Sequence, residues 1–116
     1  MTLSSLLNEG AEWLVGIGVP PDAECVILAQ DLVARTQWFE ERGLMPVFIA
    51  PKVQAEPSIP WLIGLLRVLW SKTNRGCWDA AQAAGDWDAM EQLKGLNGVS
   101  KRLRDILESA QQDEAA

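Results

Sequence analysis

Trp61-Leu62-Ile63-Gly64-Leu65-Leu66-Arg67-Val68-Leu69-Trp70 is the stretch that decides the fold, because only Gly64 and Arg67 interrupt an otherwise apolar run. A helix that is apolar on nearly every side has to be buried on most of them. Ten residues of helix rise about 15 Å, roughly half the hydrocarbon thickness of a bilayer, so this one does not span a membrane. The reading is a central core helix with other helices packed around it. Ser58 is its expected N-cap, and Pro60 falls in the first turn, where a missing N–H costs nothing.

On the N-terminal side, Pro46, Pro51, Pro57 and Pro60 punctuate residues 44–60, the least helical part of the chain. Val47-Phe48-Ile49-Ala50 is β-prone but too short and too proline-bounded for a central strand. An extended connector packed on the helices is expected there. The alternative is an edge strand open to β-augmentation by a partner or a second copy. Before the connector, residues 19–42 read as a helix opened by Pro21, Asp22 and Glu24 and stopped by Gly43. Cys25, Leu28, Ala29, Leu32 and Phe39 share its inner face, with Asp31, Arg35, Glu41 and Arg42 mostly outward. Residues 2–15 form another helix, in which Leu3, Leu7, Ala11, Leu14 and Val15 recur at helical spacing and Gly16 and Gly18 follow as stops.

On the C-terminal side, Asn74-Arg75-Gly76 predicts a break, followed by a short helix over 77–84 with Gly85 beyond it. Asp86 then caps a helix over 87–94. Gly95-Leu96-Asn97-Gly98 predicts a tight turn, after which Ser100 caps a last helix with Leu103, Ile106, Leu107 and Ala110 on one side. The polar tail, residues 111–116, is expected to fray. The sum is an all-α domain over residues 1–116, a small bundle of about five or six helices with a proline-rich connector at 44–60.

Composition narrows the function classes. The chain of 116 residues carries a net charge of -6, which opposes nonspecific binding to nucleic acid or to anionic lipid. Residues 1–58 hold eight acids and three bases; residues 59–116 hold eight acids and seven bases, so any positive surface belongs to the second half. Six tryptophans are hard to bury completely in a chain this small, and one or two are expected at the surface or at an interface. Cys25 and Cys77 fit no metal-ligand spacing. The N-terminal residues lack the basic start of a signal peptide, which points to the cytoplasm and two free thiols.

Chemistry is constrained by what the sequence lacks. There is no histidine, which removes imidazole-based triads and most zinc sites. Gly16-Ile17-Gly18 lacks the remainder of any nucleotide fingerprint. Glu40-Glu41 reads as solvated surface at a helix end. Asp79, Asp86, Asp88 and Glu91 read as caps and first-turn acids, since no calcium-loop framework surrounds them. No catalytic residue, metal ligand or cofactor site is expected, and an enzyme with a carboxylate site is the third-ranked reading.

Two binding readings remain. The turn within residues 93–107 resembles the hairpin of helix-hairpin-helix DNA-binding motifs, through Leu96-Asn97-Gly98-Val99 with Lys94, Lys101, Arg102 and Arg104 beside it. Asn97 stands where proline is usual and Ser100 where a second glycine is. The resemblance implies phosphate contact by backbone N–H groups near Gly98. The residues alone read as a tight helix–helix turn before a helix with a basic solvent face. The preferred expectation is protein–protein contact, by an adaptor, inhibitor or assembly subunit. Trp61, Leu62, Leu65, Leu66, Leu69 and Trp70 are mostly core, with a leftover strip covered by another protein or a second copy. Membrane-surface contact is not expected of a helix with so little polar face.

Overall fold

A computed structural model of the chain describes residues 2–45, 56–70 and 74–115. Over these residues the backbone forms five helices and no strand: α1 (Leu3–Gly16), α2 (Glu24–Glu41), α3 (Ile59–Val68), α4 (Asn74–Ala84) and α5 (Trp87–Ala115). The all-α bundle is the one expected. The Val47-Phe48-Ile49-Ala50 run lies outside the described residues, as does most of the connector; on its near side Met45 is buried against the core.

The helix starts follow from short polar side chains. Thr2 caps α1 by accepting from the Ser5 N–H, and Ser58 caps α3 by accepting from the Trp61 N–H. Asp86 accepts from the Ala89 N–H at 3.0 Å and so opens α5. Gly43, at φ 66°, closes α2 as expected. The start of α2 is later than the sequence suggested. Pro20, Pro21 and Asp22 belong to the approach, and Ala23 is the N-cap, with no side-chain bond.

The core lies where α1, α2, α3 and α5 meet. Leu6, Leu7, Leu14, Leu32, Phe39, Leu62, Leu66, Leu93, Leu96 and Leu103 all belong to one buried cluster. α5 is the element common to most of this, touching α2, α3 and α4. α1 and α3 approach so closely that a Cβ at Gly10 would overlap the Leu62 side chain. Glycine is needed there for contact, since the helix itself would prefer alanine by about 1 kcal/mol.

Two expectations need correction. The break at Asn74-Arg75-Gly76 is not a break: α4 begins at Asn74. The turn at Gly95-Leu96-Asn97-Gly98 does not exist either. α5 runs unbroken for 29 residues from Trp87 to Ala115, helical as far as the tail that was expected to fray. Neither Gly95 nor Gly98 has a positive φ. The physical reason lies in the buried stripe Ala89, Leu93, Leu96, Ser100, Leu103 and Leu107, which steps by four and three residues straight through the glycines. A turn would throw half of that stripe off the core, and its burial outweighs a glycine penalty of about 1 kcal/mol each. Ser100 is accordingly buried within the helix and caps nothing.

Candidate functional site

The α1–α2 connection is unusual in what it exposes. Residues 15–21, Val15-Gly16-Ile17-Gly18-Val19-Pro20-Pro21, contain no polar side chain. A connection this apolar is ordinarily covered. Here Val15 is 40% and Ile17 56% exposed, and both prolines face solvent. Helix α1 ends within this stretch, at Gly16, and Ile17 and Val19 fold back to donate to the Trp13 and Leu14 carbonyls.

That turn forms one wall of a groove of about 420 Å3. Trp13 and Ile17 come from α1 and its end, and Val19 and Cys25 from the approach to α2 and its first turn. Ile59 and Pro60 come from the start of α3, and Ile106 and Ala110 from the far part of α5. Three stretches distant in sequence, residues 13–25, 58–60 and 106–110, therefore converge on one apolar concavity. Its polar lining atoms are few. The Ser58 hydroxyl accepts from the Trp61 N–H, Trp13 brings an indole, and Cys25 is a half-buried free thiol. Such a surface offers dispersion and desolvation to a ligand but almost no hydrogen bonds.

Ion pairs pin the elements around the groove. Arg102 of α5 donates to both Glu24 carboxylate oxygens, at 2.7 and 3.4 Å. This hydrogen bond, with the accompanying charge, holds the Glu24 carboxyl below its ordinary value and the Arg102 guanidinium above its own. Both groups are solvent-exposed, so the pair fixes geometry more than it adds stability. Glu108 lies 3.4 Å from Arg67 of α3 and 4.0 Å from Arg104.

The residues singled out from sequence are dispersed otherwise. Leu62, Leu65, Leu66 and Leu69 are buried by the chain's own helices, Trp61 is half-buried, and Trp70 is 51% exposed. The outer strip of α3 is made of Pro60, Gly64, Arg67 and Trp70, so the four leucines present no free surface. Lys94, Gly98, Lys101, Arg102 and Arg104 all lie on one continuous helix, and the hairpin that would aim backbone N–H groups at a phosphate is missing. Three of these bases are engaged by acids: Lys94 by Glu91, Arg102 by Glu24, and Arg104 near Glu108.

The acidic candidates also have structural employment. Asp86 caps α5 and Glu91 pairs with Lys94, while Asp79 and Asp88 are exposed. Among the described residues no group of three acids or thiols is placed to hold a metal ion, and no helix is long and apolar enough to cross a membrane. Of the tryptophans none is fully buried, and Trp70, Trp78 and Trp87 are exposed, more than the one or two expected. Compared with protein families, with curated proteins and with solved structures, the chain matches none.

Sequence reasoning missed the groove because it treated residues 16–18 only as a helix stop. The available signal was the unbroken apolar content of residues 15–21, which is excessive for a surface turn.

Proposed function

We propose that this chain is a non-catalytic protein–protein interaction module, an adaptor, inhibitor or assembly subunit, that engages its partner through the groove between residues 15–21, the start of α3 and the far part of α5. The observation that carries the reading is the 56% exposure of Ile17, which lines an apolar concavity of about 420 Å3. An exposed apolar rim around a preformed hollow is a surface that water solvates poorly and a complementary apolar face covers well. The few polar lining atoms favour binding over catalysis, since they supply neither a general acid–base pair nor an oxyanion site. The acidity of the whole chain favours a protein partner over nucleic acid.

Affinity capture with three forms of the protein tests this. The native chain is compared with Ile17→Asp, which alters the groove, and with Trp87→Ser, which alters an exposed indole elsewhere. Circular dichroism first confirms that all three fold alike. The expected result is a partner retained by the native chain and by Trp87→Ser but lost from Ile17→Asp. Identical capture by all three would contradict the groove as the binding surface.

A further inference from the structure

We infer that the occupant of the groove is an amphipathic helix of another protein, with an aliphatic face flanked by lysine or arginine. This rests on the reading of the groove as a protein-binding site and adds the chemistry of what binds there. The helical form follows from hydrogen bonding. The polar side chains of the lining are few, the Trp13 indole, the Cys25 thiol and the Ser58 hydroxyl that already accepts from the Trp61 N–H, and no strand edge exists among the described residues. An extended peptide entering the hollow would bury backbone N–H and C=O groups with nothing to pair them, each a desolvation loss. A helix brings its backbone groups already paired and presents only its side chains.

The charge follows from the rim. Within two positions of a lining residue the charged side chains are Glu12, Glu24, Glu56, Asp105 and Glu108, against the single base Arg104. Arg102 and Arg67 reach in to neutralise Glu24 and Glu108. Glu12, Glu56 and Asp105 are exposed and form no ion pair with any described residue, although Asp105 lies within electrostatic reach of Arg102. These sequence neighbours of the lining are therefore net negative, which puts a negative field beside the apolar floor. Such a field attracts cationic flanks, repels acidic ones and sets the orientation of the bound helix.

The probes are two labelled synthetic peptides with the same leucine-rich helical face, one with lysine flanks and one with glutamate flanks. Binding is followed by fluorescence anisotropy. The lysine-flanked peptide is expected to bind at least about tenfold more tightly at low salt, with the difference shrinking as salt screens the rim. The double substitution Glu56→Lys with Asp105→Lys, both at exposed positions, should reduce or invert the preference, while Ile17→Asp should weaken both peptides alike. Equal binding of the two peptides would overturn the charge assignment while leaving the groove a binding surface. Failure of both to bind, with capture of a partner still dependent on Ile17, would overturn the helical occupant. Failure of both, with capture indifferent to Ile17, would remove the groove reading as well.

Discussion

At the residue scale, Glu40 shows how a surface carboxylate becomes structural. It was expected to be solvated, but the Ser4 N–H donates to its Oε1 at 3.0 Å and the Ser4 hydroxyl to its Oε2 at 2.6 Å. The carboxylate from the end of α2 thus sits on the positive end of α1 and satisfies one of its unpaired N–H groups. Glu40→Ala is expected to lower unfolding free energy in urea by about 1–2 kcal/mol, and Glu41→Ala, at an exposed position, by less than about 0.5 kcal/mol. The two thiols form a second contrast. Cys77 is fully buried, and burial pushes its thiol from the ordinary 9.0 up to about 11. Cys25 is half-buried on the groove. A colourless aromatic disulfide reagent should therefore modify Cys25 in the folded protein, and Cys77 only as fast as the chain opens. Because the folded thiol titrates later than the unfolded one, its contribution to stability is complete below about pH 9 and is lost as pH rises through about 11. Denaturation curves of the native chain and of Cys77→Ala should therefore converge over that alkaline window. A constant offset between them would contradict the assignment.

At the scale of elements, the caps and the core helix were legible and the C-terminal half was not. Ser58 and Asp86 each announce a helix start by local chemistry, which acts over three residues and needs no tertiary context. Gly95 and Gly98 carry an equally local signal for a turn, and there the local signal loses. Gly98 faces open space, and Gly95 faces Arg35, whose Nη1 would stand 2.6 Å from an added Cβ. The decisive information was the long stripe from Ala89 to Leu107, visible only when the heptad steps are followed across the glycines. The groove was hidden for a related reason: its three wall stretches meet only after folding, and only residues 15–21 mark it in the sequence. A pair of substitutions separates the continuous helix from a hairpin. Gly98→Ala should stabilise the protein by about 0.5–1 kcal/mol, since an exposed helical glycine is replaced by the best helix former. Gly10→Ala should destabilise it by about 1–3 kcal/mol, because the new methyl overlaps Leu62 in the core. Thermal melts read both, and a destabilising Gly98→Ala would return the turn to residues 95–98.

At the scale of the molecule, the bundle is elongated, 46 × 28 × 23 Å along its principal axes, and its exposed apolar features are well separated. Trp70 lies eleven residues along from Ile59, about 16 Å of helical rise, and Trp87 nineteen residues from Ile106, about 28 Å. A ligand seated on the groove therefore touches Trp13 without reaching Trp87. Six indole N–H protons spread over exposed and half-buried positions give each region its own reporter, which makes the site directly observable. The measurement is a series of proton–nitrogen correlation spectra of the labelled protein, with the lysine-flanked helical peptide added stepwise. Binding in the groove predicts concentration-dependent shifts of the Trp13 indole and of the Ile17, Val19, Ile106 and Ala110 amides, while the Trp78 and Trp87 indoles stay in place. Shifts centred on Trp78 and Trp87, or a spectrum unchanged at saturating peptide, would contradict it.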